Sequence, residues 1–191
     1  MVCPACDAPQ PLAPGTDLFA VLGLARNLSI DAEDLERRYH GASRIVHPDR
    51  HQTAEPRARA TALELAAEVN RAYRTLRDPV ARGRYWLDLH GRPLGQDNNR
   101  IPSGLAALVF ETQEKLEDLR GDPSVRAAVE AVRDELTGRV DGLENALRAR
   151  YREWSDGQAE SEAALAELRG RLSELAYLHT LLEDVEAALG D

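Results

Sequence analysis

Residues 31–50 read DAEDLERRYHGASRIVHPDR, and this stretch decides the fold. Asp31 is placed to cap a helix, with Asp34 three residues on as an acidic variant of a capping box and Ile30 and Leu35 at the staple positions. From that cap Leu35, Tyr39, Ala42, Ile45 and Val46 recur at three- and four-residue spacing, which leaves Arg37, Arg38 and Arg44 on the wet side. The helix must stop at His47, because the residue before Pro48 is pushed out of the α region. An amphipathic helix with a basic outer face thus runs into the turn His47-Pro48-Asp49.

Outward from this turn, residues 48–56, PDRHQTAEP, read as a loop, and a second long helix resumes near Arg57 with Leu63, Ala66, Val69, Tyr73 and Leu76 as its stripe. Asp78-Pro79 then caps and starts another helix, with proline at the first helical position, where its missing N–H costs nothing. That helix carries Tyr85, Trp86 and Leu89 and ends at Gly91. On the N-terminal side, Asp17 caps a short helix with Phe19, Leu22 and Leu24 that ends near Asn27. The expectation is a compact helical unit over 17–91, dominated by two antiparallel helices joined through the proline loop.

Residues 92–102, RPLGQDNNRIP, form the natural linker, and residues 1–16 a flexible leader. Three helical runs fill 103–191. Ser103 caps the first, which Gly121 closes; Asp122-Pro123 opens the second, with Val125, Val129, Val132, Leu136, Val140, Leu143 and Leu147. Gly157 separates the third, carrying Leu165, Leu168, Leu172, Leu175, Leu178, Leu182, Val185 and Leu189. Two helices of about thirty residues would each reach roughly 45 Å, which predicts a long antiparallel hairpin within a three-helix bundle. Gly138 and Gly142 inside the second run predict bending or close packing. The fold class is all-α.

Composition agrees. The chain has 191 residues, 43% apolar but only 5% aromatic, which suits helices better than β-sandwiches. No stretch approaches the roughly twenty apolar residues of a membrane span, and MVCPACDAPQPLAPG at the start lacks the basic and apolar regions of a secretory signal. A cytoplasmic location follows. Residues 1–91 balance 12 Arg against 12 Asp and Glu, whereas 92–191 set 12 basic residues against 21 acidic. An acidic half repels phosphate backbones, so nucleic acid is not a partner. Arginine outnumbers lysine 23 to 1, Lys115 being the exception, a bias of genome composition rather than function. There is no Gly-rich phosphate loop, no HExxH and no assembled nucleophile, which points away from an enzyme.

The tripeptide His47-Pro48-Asp49 alone is weak evidence, but its surroundings agree with it. The short Phe19 helix, the spacing of Tyr39 and Arg44 before His47, the run from Val69 to Leu76 and the following Asp78-Pro79 together resemble a J-domain, the module with which co-chaperones stimulate ATP hydrolysis by heat-shock-70 chaperones. DLFAVLGL at 17–24, RTLRDP at 74–79 and YWLDLHG at 85–91 narrow the likeness to the HscB-type J-protein of iron-sulfur cluster assembly. That resemblance implies a heat-shock-70 partner of the HscA/DnaK type, contacted by His47, Pro48 and Asp49 and steered by Arg37, Arg38 and Arg44. It also implies a C-terminal domain that binds a cluster scaffold of the IscU type. The plainer readings are a helix-breaking turn for the tripeptide and a solvated face for the arginines.

By the same resemblance, the scaffold face comprises Ala106, Ala107, Phe110, Glu111 and Glu114, with Tyr177 as a late aromatic. Ala106 and Ala107 stand where the family has larger apolar residues, which shrinks the contact. For Phe110 and Tyr177 the alternative is bundle core, and for the glutamates a solvated surface. Cys3-Pro-Ala-Cys6 is half of a zinc knuckle; tetrahedral zinc needs four ligands, so an unstructured leader without a cofactor competes with zinc held between two chains. Two rival functions remain open, a J-protein serving another client and a helical adaptor or dimerisation protein without chaperone coupling.

Overall fold

A computed structural model of the chain describes residues 2, 8–52, 54–95, 101–102, 104–154 and 157–190. Among the described residues there are seven α-helices and no strand, the paired extended chain being an isolated antiparallel bridge between Val2 and Pro9. The chain divides into two compact units, Met1–Arg82 and Gly83–Asp191.

In the first unit, α1 (Leu18–Val21) begins at Asp17, whose carboxylate accepts the Ala20 N–H at 2.8 Å. Burial raises the Asp17 pKa, but the backbone N–H of Ala20 and the adjacent Arg26 outweigh it and hold the carboxyl below its ordinary value. The helix ends sooner than Asn27. Gly23 adopts φ +65°, with its N–H on Ala20 O and the Leu24 N–H on Phe19 O, a closure that a left-handed glycine permits. Leu28, almost fully buried, then continues the core from the following loop.

The helix α2 (Ala32–Val46) starts at the Asp31 cap, which accepts the Asp34 N–H at 2.7 Å, and stops where His47 turns extended at φ −59°, ψ 129°. It packs on α3 (Pro56–Arg77), which also supports α1. Phe19, Leu35, Val46, Leu65, Val69 and Leu76 form the centre of this core. The inner stripe of α3 is Ala62, Leu65, Val69, Ala72 and Leu76; Leu63 is 57% exposed and Ala66 only half-buried. Residues 60–67, ATALELAA, are apolar almost all round, so their periodicity alone does not select a phase.

Asp78 caps α4 (Pro79–Leu89), accepting the Ala81 N–H at 2.6 Å. The division between the two compact units falls inside this helix, after Arg82. From Gly83 onward α4 belongs to the second unit, where the buried Trp86 indole donates to Ala159 O at 3.0 Å. Leu87, fully buried, takes the place expected for Leu89.

The second unit is otherwise a three-helix bundle of α5 (Ala106–Gly121), α6 (Arg126–Glu153) and α7 (Glu162–Leu189). Arg126 donates to Leu189 O at 2.9 Å, and Arg150 pairs with Glu167 at 3.0 Å. These contacts join opposite ends of α6 and α7 and make the two an antiparallel hairpin. Each has 28 residues, so each is roughly 42 Å long. Leu181 rather than Leu182 joins the buried stripe of α7. Gly138 and Gly142 are exposed with open space where a Cβ would stand, so close packing is not their role, and α6 runs unbroken through both. The helix α5 begins at Ala106 with no side-chain cap at Leu105; Ser103, expected to cap it, lies outside the described residues.

Candidate functional site

The turn after α2 is a 3-10 helix over Pro48–His51. Pro48 sits at its first position, where the missing N–H is tolerated and φ is already restricted. The Asp49 N–H donates to His47 Nδ1 at 3.3 Å, and the Arg50 N–H to His47 O at 3.0 Å. With Nδ1 accepting, the neutral imidazole carries its proton on Nε2. Gln52 donates its side-chain amide to Asp49 Oδ1 at 3.1 Å. The side chains of His47 and Asp49 remain 53% and 72% exposed. The loop therefore presents a donor-bearing ring and a carboxylate to solvent on a backbone with little freedom.

His51 is a member of this turn that sequence reading passes over. It is only 9% exposed, and its Nε2 lies 3.1 Å from Ile45 O. A carbonyl only accepts, so Nε2 must be the protonated nitrogen, and the ring ties the end of the turn to the last turn of α2. Nothing in the run PDRHQ distinguishes this imidazole from its polar neighbours; burial alone reveals it.

The three arginines of α2 differ. Arg37 and Arg38 both pair with Asp34, and Arg38 also donates to Gly23 O at 2.5 Å, so it ties the end of α1 to α2. The Arg38 hydrogen bond, ahead of the charges of Arg38 and Arg37, holds the Asp34 carboxyl below its ordinary value. Arg44 bonds His40 O through Nε at 3.1 Å and makes no ion pair among the described residues. Its charge is the least compensated of the three. Tyr39, expected in the buried stripe, is half-buried; its ring stacks on Tyr73 at 4.1 Å and its hydroxyl donates to Asn70 Oδ1 at 2.9 Å.

In the second unit, Ala106, Ala107, Phe110, Glu111 and Glu114 all lie exposed on one face of α5, opposite the buried Leu108, Val109, Thr112 and Leu116. Phe110 is 74% exposed, which removes bundle core as its role. Glu111 pairs with Lys115 at 2.7 Å, and that hydrogen bond lowers its carboxyl pKa. Tyr177 stands half-buried on α7. Cys3 and Cys6 lie outside the described residues, and among the described residues no cluster of three or more His, Cys, Asp or Glu is placed to hold a metal. No helix among them is long and apolar enough to cross a membrane.

Comparison with known proteins agrees with this geometry. Residues 17–85, which contain the whole turn and its supporting helices, match the DnaJ domain. A co-chaperone protein HscB homolog of Chromobacterium violaceum is 36% identical over 134 residues, 70% of this chain and 75% of the relative. A homolog of the same name from Pseudoalteromonas atlantica is 30% identical over 174 residues, covering 91% of this chain and 98% of the relative. Among solved structures, chaperone HscB from Vibrio cholerae superposes with a TM-score of 0.61 at 27% identity, over 90% of this chain and 98% of that one. Human co-chaperone protein HscB shares the fold with a TM-score of 0.75 at 23% identity, over 97% of this chain and 88% of that one. An exposed His-Pro-Asp turn within a DnaJ domain, followed by a three-helix bundle, is thus matched by sequence along nearly the whole chain, and the protein belongs to the HscB family of J-domain co-chaperones.

Proposed function

We propose that this protein stimulates ATP hydrolysis by a heat-shock-70 chaperone of the HscA/DnaK type and delivers to it an iron-sulfur cluster scaffold of the IscU type. The observation that carries the reading is the His47-Pro48-Asp49 turn, exposed yet internally bonded, within the residues that match the DnaJ domain. A loop with few conformations to lose keeps more of its contact energy on docking. His47 supplies the Nε2 donor and Asp49 the acceptor, while Arg44 draws an acidic partner surface towards them; Arg37 and Arg38 contribute less, since Asp34 shares their charge. The protein performs no catalysis of its own and acts in the cytoplasm. Cys3 and Cys6 offer two thiolates where structural zinc takes four ligands, so no resident metal enters this reading.

The scaffold is held on the outer face of α5, with Phe110 as the apolar anchor and Glu111 and Glu114 beside it. Exposed aromatics with charged neighbours are typical of interface hot spots. Ala106 and Ala107 offer little apolar area, and this favours one second reading, a J-protein whose α5 face takes another client. Single-turnover ATP hydrolysis by the chaperone, with and without the protein, tests the first function. Capture of the scaffold on the immobilised protein tests the second. Absence of stimulation defeats the co-chaperone reading, and stimulation without capture leaves the J-protein with a different client.

A further inference from the structure

Sequence alone gives the leader no partner, yet Val2, Ala8 and Pro9 line a cleft together with residues around the His47-Pro48-Asp49 turn. Val2 and Pro9 pair as an antiparallel bridge, which ties the two ends of residues 2–9 together. Val2, Ala8 and Pro9 form one side of a cleft of about 390 Å³ whose other side includes Ile45, His51 and Ala58. Ile45 lies in the last turn of α2, His51 closes the 3-10 turn, and Ala58 lies in the first turn of α3. Val2, Ala8 and Pro9 therefore share a cleft with residues on both flanks of the His47-Pro48-Asp49 turn.

We infer that the leader is a positioning segment that braces this turn through Ile45 and His51. The turn is bonded internally through His47 Nδ1 and Asp49 Oδ1, so what remains to be held is its seat against the end of α2. Pro48 offers no N–H, and closure rests on the Arg50 N–H to His47 O at 3.0 Å and on His51 Nε2 to Ile45 O at 3.1 Å. The second of these is worth most where water does not compete for the ring, and His51 is only 9% exposed beside the cleft that Val2, Ala8 and Pro9 also line. A leader seated there limits the opening of the turn and raises the fraction of molecules that present His47 and Asp49 in one arrangement. The consequence for a chaperone rests on the function proposed above; the brace itself does not.

The test compares the full-length protein with Val2→Asp/Pro9→Gly, His51→Leu and His51→Gln. Amide hydrogen exchange is read at Arg50 and Ala54, whose N–H groups bond His47 O and His51 O within the turn. Chaperone stimulation is read as a function of co-chaperone concentration. If the competent fraction falls to about one third, apparent affinity falls about threefold. The leader variant and His51→Leu are expected to exchange faster at both amides and to need about threefold more protein for half-maximal stimulation, with the maximum unchanged. His51→Gln, which keeps a side-chain N–H, is expected to stay closer to the wild type than His51→Leu. Wild-type exchange at Arg50 and Ala54 in the leader variant would overturn the brace. Absence of stimulation by the wild type would instead defeat the proposed function, with exchange still deciding the brace.

Discussion

A Cβ placed on Gly83 would stand 2.2 Å from the hydroxyl oxygen of Tyr151, closer than any side chain can come to that buried ring. Leu172 and Leu168 crowd the same point at 3.2 and 3.3 Å. Gly83→Ala sets two effects against each other. Alanine favours a helix over glycine by about 1 kcal/mol, whereas overpacking typically costs about 1–3 kcal/mol. The clash is with a nearly fully buried ring, so it dominates. Chemical denaturation is expected to show a net loss of about 1 kcal/mol. Tyr151→Phe in the same chain should recover part of it, making the pair less than additive.

His47→Gln is expected to leave the melting curve in place, because a ring more than half exposed contributes little to packing. Surface changes of this kind stay within about 0.5 kcal/mol. Stimulation of the chaperone should fall to background in single-turnover hydrolysis. Full stimulation by the variant would separate the turn from the proposed function.

Phe110→Ala removes an aromatic that is 74% exposed, so the fold should be unchanged by circular dichroism. Loss of an interface anchor typically costs about 2 kcal/mol, which is more than tenfold in scaffold affinity. Tyr177→Ala, at a half-buried position, should weaken binding and also lower the melting temperature. Glu111→Lys with Glu114→Lys should act through charge and lose its effect as salt rises.

The Arg150 hydrogen bond, against a smaller opposing effect of burial, lowers the Glu167 carboxyl from its ordinary 4.5. A depressed carboxyl pKa stabilises the folded form above the unfolded value, and this contribution is lost as pH falls through the folded value. Both partners are about one third exposed, which limits the pair to about 1 kcal/mol or less. Glu167→Gln should therefore be less stable than the wild type near neutrality and converge with it below pH 4.5, as read by urea unfolding across that range.

Thr112 is almost fully buried in α5, and its hydroxyl has no hydrogen-bond partner among the described residues. Thr112→Val keeps the shape and a similar helix propensity while removing the stranded polar atom. A buried unpaired group costs roughly 1–3 kcal/mol, so the variant is expected to gain about 1 kcal/mol and melt a few degrees higher. A lower melting temperature would show that the hydroxyl is satisfied in solution.

What local chemistry controls can be read along the chain. Asp17, Asp31, Asp78 and Asp122 each accept a backbone N–H two or three residues on, and Pro48 ends α2 at the residue before it. These features depend on neighbours within a few positions, so a reader of the chain alone can place them. The exposed His-Pro-Asp turn follows from the same rules.

Tertiary structure decided the features whose partners lie far along the chain. ATALELAA at 60–67 can turn either of two apolar sides inward, and only packing on α1 and α2 selects Ala62 and Leu65 over Leu63. The division of α4 at Gly83 depends on Tyr151 and Leu172, residues of α6 and α7 that local periodicity cannot see. His51 reads as one more polar loop residue until the turn folds back on Ile45 and buries it, and only the folded turn brings Val2, Ala8 and Pro9 to a common cleft with it. Capping energies are set by hydrogen bonds a few residues long; burial is set by which surfaces meet.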